Sequence, residues 1–151
     1  MPVAAKILEA DVTKTVRGFM ALRGWRRLRF QRTVVPGQFQ TGEPGIPDDL
    51  FLRYIRPGVA AQVWIEYKSP GDKRKCRCAG RKSGLCTVCA QDAWHKAERA
   101  RGGRVWRVPT FDGFEALYYQ RFGWLHDGSV ASGQLDFISK LTGEQNENAE
   151  S

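Results

Sequence analysis

The chain is 151 residues long, 42% hydrophobic and 26% charged, with a formal net charge of +8. That length and composition suit one globular domain with its own core. They exclude a membrane-spanning helix, since no apolar run approaches the ~20 residues one needs. The opening MPVAAKILEADV carries Lys6, Glu9 and Asp11 where a signal peptide has a long apolar segment, so an intracellular, cytoplasmic protein with no membrane partner is expected. The ten closing residues hold Glu144, Glu147 and Glu150 and no base; residues 1–141 therefore carry 24 Lys and Arg against 13 acids, or +11. A surplus of that size attracts polyanions by long-range steering and counterion release, which points to a nucleic acid; the alternative is charge that only keeps a small protein soluble.

In chain order, residues 3–23 place Val3, Ile7, Val12, Val16, Phe19 and Met20 at helical spacing. Gly24 is set to end that helix. Residues 25–35 mix aromatic, β-branched and arginine side chains and predict a strand with one basic face; residues 36–45 are Gly/Pro-rich and predict a loop. DDLFLRYI (48–55) and AAQVWIEYK (60–68) flank Arg56-Pro57-Gly58-Val59 and predict a hairpin. A polar, basic, cysteine-containing excursion follows, over about 70–90. A helix is expected over 87–101, a strand over 104–108, a helix over 111–122 and a weaker one over 132–141. Residues 142–151 read as a disordered acidic tail. A helical crossover from the 60–68 strand to the 104–108 strand makes those two parallel. The expected fold is therefore α/β, a single domain over 1–141 with a mixed sheet flanked by helices and a small metal-binding insertion.

Two groups of residues carry chemistry. Alternation along the second hairpin strand puts Trp64, Glu66 and Lys68 on one face and Val63, Ile65 and Tyr67 on the other. A second carboxylate comes from Asp48 or Asp49 at the start of the neighbouring strand. Which of the two depends on register: with residue 52 opposite 66, Asp48 joins Glu66, and with residue 51 opposite 66, Asp49 does. Two carboxylates and an ammonium suit Mg²⁺ or Mn²⁺, hard cations that take oxygen ligands. The alternative is an ordinary exposed ion pair beside a turn aspartate.

The second group is Cys76-Arg77-Cys78 and Cys86-Thr87-Val88-Cys89, which hold every cysteine of the chain. Two close pairs across a short loop fit Zn²⁺ with four thiolates, a closed structural site. Two disulfides are the alternative, which an intracellular setting disfavours. Lys73, Arg74, Lys75, Arg77, Arg81 and Lys82 surround the thiols, more bases than a dianionic zinc centre needs, and the surplus is available to DNA phosphates. His95 reads as a helix-surface residue or a DNA contact. The five tryptophans read mainly as packing residues, with stacking on unpaired bases as the other use.

The order Gly45-Ile46-Pro47-Asp48, then Ile65-Glu66-Tyr67-Lys68-Ser69-Pro70-Gly71, then Gln91-Asp92-Ala93-Trp94 leading to Gly102-Gly103-Arg104-Val105, resembles the VRR-NUC nucleases of the PD-(D/E)XK superfamily over about residues 5–120. The resemblance implies a nuclease domain in which Asp48 and Glu66 bind a catalytic Mg²⁺ or Mn²⁺, with the Tyr67 carbonyl as a further ligand. It also implies that Glu9 binds the ion directly or through water, that Lys68 is the catalytic lysine, and that Gln91 hydrogen-bonds near the metal or scissile phosphate. The implied activity is a metal-dependent DNA endonuclease of bacterial or phage type, structure-specific for branched, flap or Holliday-junction DNA as in DNA repair, with a homodimer as the implied assembly. The chain departs from the pattern in two places. Asp49 stands where a hydrophobic residue is usual, and the cysteine excursion separates Lys68 from Gln91. A non-catalytic zinc-containing DNA-binding module and a restriction-type or RNA-directed nuclease of the same superfamily are the competing readings.

Overall fold

A computed structural model describes residues 8–29 and 43–126. Its elements run α1 (Glu9–Leu22), β1 (Arg26–Arg29), β2 (Asp49–Arg56), β3 (Val59–Tyr67), α2 (Thr87–Ala100), β4 (Val105–Val108) and α3 (Phe111–Phe122). The chain divides into two compact units, residues 1–114 and 115–151. The expected helix over 132–141, the acidic tail and most of the 25–35 strand and 36–45 loop lie outside the described residues.

The first unit is α/β. Its four strands form one mixed sheet in the order β1-β2-β3-β4. β1, β2 and β3 are antiparallel neighbours, and β3 pairs with β4 in parallel, Trp64 opposite Val105 and Tyr67 opposite Val108. The parallel pair needs a crossover, and α2 supplies it.

Each face of the sheet has its own helix. On one face, Val12, Val16, Phe19 and Met20 of α1 are buried at helical spacing with Phe51, Val63 and Ile65 of the strands. Phe19 lies edge-on to Phe111 at 5.5 Å and to Phe114 at 5.4 Å. On the other face Leu50, Trp64 and Val105 form a cluster closed by Trp94 of α2, whose ring is 5.0 Å from that of Trp64. The Trp64 indole donates to Glu98 at 3.3 Å, so a half-polar ring is satisfied inside an apolar layer. In the second unit, Tyr118 packs against Phe122 at 5.7 Å, and its hydroxyl lies 2.6 Å from His126 Nε2.

The hairpin register differs from both expected ones. Leu52 lies opposite Gln62, and neither residue 51 nor residue 52 opposes Glu66. The reason is the shape of the turn. Pro57 and Gly58 alone connect Arg56 to its partner Val59, and Gly58 takes φ +77°, the left-handed conformation required after a proline in a type II turn. Continued down the ladder, the Arg56–Val59 pairing would set Asp49 opposite Glu66. Between Tyr54 and Arg56 the register shifts, so that Tyr54 pairs with Ala60 and Asp49 with Ile65. One extra residue in the strand thus turns Asp48, not Asp49, toward the face of Glu66.

Candidate active site

Glu66 and Lys68 stand at the end of β3 on the face covered by α2. Glu66 is 4% exposed. Its Oε1 accepts from Lys68 Nζ at 2.7 Å and from Gln91 Nε2. Gln91, in the second turn of α2, returns its carbonyl oxygen to the same ammonium at 2.8 Å. The three side chains form a closed triangle in which the amide fixes both the acid and the base. Lys68 continues the parallel ladder, its N–H donating to Val108 at 3.1 Å, so the ammonium springs from a held backbone.

Asp48 sits one residue before β2 and exposes its side chain. Its Oδ2 accepts the Tyr67 N–H at 2.9 Å, which ties the aspartate to the strand between Glu66 and Lys68. In an antiparallel pair the N–H and C=O of one residue point to the same neighbour, so the Tyr67 carbonyl is also directed to the Asp48 side. Glu9 opens α1, where a carboxylate is favoured by the unpaired N–H groups of the first turn. Its Oε2 accepts from the Ser69 hydroxyl at 3.2 Å, one residue beyond Lys68.

Partial desolvation holds the carboxyls of Asp48 and Glu66 above the usual carboxylate range, and the two repel each other. Glu9 and Asp49 push Asp48 further up, while the Tyr67 N–H and the Lys68 ammonium oppose that rise. Asp48, Glu66 and Glu9 each keep one carboxylate oxygen with no hydrogen-bond partner among the described residues. An oxygen-only, acid-rich donor set of this kind fits a hard divalent cation. The three acids are nonetheless more widely spread than the thiols described below. Outside that thiol group, no three His, Cys, Asp or Glu side chains among the described residues bring ligand atoms so close together.

Asp49 belongs to a different structure, on the α1 face. It is fully buried and accepts from Arg17 Nε at 2.7 Å, from Arg17 Nη2 at 3.1 Å and from the Tyr67 hydroxyl at 3.0 Å. Arg27 stands 3.9 Å away. Burial and the Asp49 charge push the Tyr67 phenol far above its ordinary value. The acid that departs from the expected hydrophobic residue is therefore the centre of a buried polar network, one that composition and spacing give no means of locating.

The loop before Asp48 is fixed by close approach. Gly45 has φ +84°, and a Cβ there would lie 2.2 Å from the Ala90 carbonyl oxygen and 2.7 Å from the Gln91 nitrogen. Only glycine lets the Asp48 loop lie on α2 at the turn that carries Gln91. A cleft of about 130 Å³ at the strand end is lined by Lys68, Gln91, Arg107, Asp72, Arg74 and Val88.

The four cysteines converge. Cys76, Cys78, Cys86 and Cys89 have all their sulfurs within 4.8 Å of one another and no disulfide joins them. Sulfurs around one Zn²⁺ at about 2.3 Å stand about 3.8 Å apart, so the cluster is close enough to hold a metal ion and is compatible with structural zinc. The Arg77 N–H donates to Cys86 Sγ and the Cys86 N–H to Cys78 Sγ, each at 3.3 Å; the N–H groups of Arg77 and Cys89 lower the Cys86 thiol to about 6, toward the thiolate that a metal binds.

His95 corrects its expectation as a surface or DNA-contacting residue. It is 1% exposed, and neither ring nitrogen has a hydrogen-bond partner. Burial, then the charges of Arg107, Arg99 and Lys68, lower its pKa to about 4, so the ring is neutral. Trp25, Trp64 and Trp106 are buried packing residues, and Trp94 donates to Glu43 at 2.6 Å. Among the described residues, no helix is long and apolar enough to cross a membrane. The chain matches no family model, no curated protein and no solved structure.

Proposed function

We propose that the protein is a metal-dependent endonuclease that hydrolyses DNA phosphodiesters, with branched, flapped or four-way-junction DNA as its substrate class. The observation that supports this most is the meeting of Asp48, Glu66, Lys68 and Gln91 at the end of β3. These residues are distant in sequence and are brought together by a bulge, a glycine contact and a crossover helix. An ion pair of no consequence would need none of the three.

Asp48, Glu66 and Glu9, with the Tyr67 carbonyl, are the ligands for the cation. A bound Mg²⁺ or Mn²⁺ lowers the pKa of water and neutralises charge on the phosphate. Lys68 supplies a positive donor for the oxygen on which charge develops. Gln91 holds that ammonium through its carbonyl oxygen and holds Glu66 through its amide nitrogen, so both are positioned before a substrate arrives. The cysteine cluster binds zinc and gives the excursion its folding energy, because that segment has little apolar core of its own. A homodimer suits a substrate with two-fold symmetry such as a four-way junction.

One observation favours a second reading, a zinc-containing DNA-binding module without activity. The acids do not gather as tightly as the thiols, and Lys68 already neutralises Glu66. The test is incubation of the zinc-loaded protein with supercoiled, flapped, four-way-junction and linear duplex DNA, with and without Mg²⁺ or Mn²⁺. Cleavage of the branched substrates only with metal, lost in Lys68→Met, is the expected result. Binding with no cleavage under any of these conditions establishes the module instead. A sequence-specific cut in linear duplex, or cleavage of RNA, points to the restriction-type or RNA-directed members of the superfamily.

A further inference from the structure

The cysteine excursion does more than fold. Arg74, Lys75, Arg77 and Arg81 line one side of a groove of about 340 Å³, whose other side is the start of α2 at Cys86, Thr87 and Val88. Arg74 and Val88 also line the cleft that ends on Lys68, Gln91 and Arg107. One path therefore runs from the thiol cluster to the catalytic lysine.

Its net charge is positive. Between Asp72 and Lys82 six bases face one acid, and four thiolates around Zn²⁺ add two negative charges, so a surplus of three remains. Arg74 is held by Asp72 at 2.8 Å. The side chains of Lys75, Arg77 and Arg81 have no ion-pair partner among the described residues. Thr87 and Val88, the first two residues of α2, line the groove opposite no acidic side chain.

Shape and lining select the ligand. A volume of this order matches the small end of ligand pockets; it admits the sugar and phosphates of one strand and not a double helix. The lining contains no aromatic ring, so bases have nothing to stack on. We infer that this groove binds the backbone of a single nucleic-acid strand, without base preference, and that the metal-held excursion forms its wall and leads the strand to Lys68. This rests on the nuclease reading for the fate of the strand, whereas the grip itself is independent of cleavage.

The experiment is fluorescence anisotropy with labelled oligothymidylate and oligoadenylate of about 12 nucleotides, within the site size of single-strand binders. It uses the zinc-loaded full chain without added Mg²⁺ or Mn²⁺, over a series of salt concentrations. Each phosphate contact to a single strand contributes about 0.7 to the salt slope. The triple variant Lys75→Gln/Arg77→Gln/Arg81→Gln, shown by zinc assay to retain its metal, is expected to lose about 2 from the slope and about 100-fold in affinity at 0.1 M salt. Zinc-stripped wild type should lose as much. Lys14→Gln/Lys96→Gln, which removes two exposed bases elsewhere, should lose little. Thymidylate and adenylate should bind alike, and a blunt duplex should compete poorly. Unchanged binding by the metal-loaded triple variant, unchanged binding after zinc removal, or preference for duplex would each overturn the inference. Strand binding without cleavage would leave this proposal standing and remove the nuclease, while cleavage without groove binding would do the reverse.

Discussion

Replacing Asp48 and Asp49 one at a time separates two roles for adjacent carboxylates. Asp49 is fully buried, with a two-pronged contact from Arg17 and a bond from the Tyr67 hydroxyl. Removing one member of a buried ion pair costs about 3–5 kcal/mol, because the partner is left uncompensated. Arg17 keeps 33% of its side chain exposed, so its freed guanidinium reaches water, and the loss should fall at the low end, about 3 kcal/mol. Asp48→Ala gives up one hydrogen bond from the Tyr67 N–H, worth about 1 kcal/mol. That loss is offset by relief of its repulsion with Asp49, Glu9 and Glu66. Urea unfolding reads the difference directly. With a slope of about 1.5 kcal/mol/M, the Asp49→Ala midpoint falls by about 2 M and the Asp48→Ala midpoint by well under 1 M. Calorimetric titration with Mn²⁺ should then show binding lost in folded Asp48→Ala. Equal destabilisation by both substitutions, or a stable Asp49→Ala protein that no longer binds Mn²⁺, would refute the division of labour.

Gly45→Ala and Gly58→Ala share a left-handed φ but not a neighbourhood. Gly58→Ala should cost only the conformational strain of about 1 kcal/mol, whereas the Gly45 Cβ would meet the Ala90 carbonyl backbone, so thermal unfolding should show a markedly larger loss for Gly45→Ala, together with weaker cleavage. For His95, the folded pKa of about 4 lies below the ordinary 6.5. The unfolded chain therefore takes up the extra proton, and the stability that a neutral ring preserves is complete above pH 6.5 and lost as the pH falls toward 4. One proton over that window is about 3 kcal/mol, and the stability of wild type relative to His95→Leu in urea unfolding should fall by that amount on acidification. Lys68→Met removes the neighbour that lowers the Glu66 carboxyl; carbon-detected NMR titration should place Glu66 higher than in wild type, and cleavage should fall by about 100-fold or more.

Periodicity sufficed where burial is one-sided and continuous. Val12, Val16, Phe19 and Met20 mark α1 because each sits on one stripe, and the alternation of Val63, Ile65 and Tyr67 against Glu66 and Lys68 survives in β3 because the two faces meet different helices. The cysteines were legible for another reason: metal-ligand spacing is local, and the four sulfurs meet within one excursion. The site itself was less so. Whether Asp48 or Asp49 faces Glu66 hangs on a single unpaired residue between Tyr54 and Arg56, and nothing in the sequence of the strand marks where it will bulge. Neither expected register allowed for a two-residue turn. Asp49 was hidden because a polar residue appears exposed in sequence until its partner is known, and Arg17 lies 32 positions away; His95 is buried with neither ring nitrogen paired, which no pattern in the sequence marks.

The same feature explains why the two aspartates tolerate adjacency. Successive residues of a strand point to opposite faces, so the backbone itself separates a carboxylate neutralised by Arg17 from one left open beside Glu66. A register slip of one residue would exchange them, bringing Asp49 and Glu66 together on the α2 face and leaving Arg17 against an apolar layer without its acid. The Arg17–Asp49–Tyr67 network therefore works as a lock on the register. Its buried charges make slippage cost far more than the loss of a few apolar contacts, since an uncompensated buried charge is the most expensive error a core can contain. On this view the departure at Asp49 is what keeps Asp48 where Lys68 and Glu66 can use it.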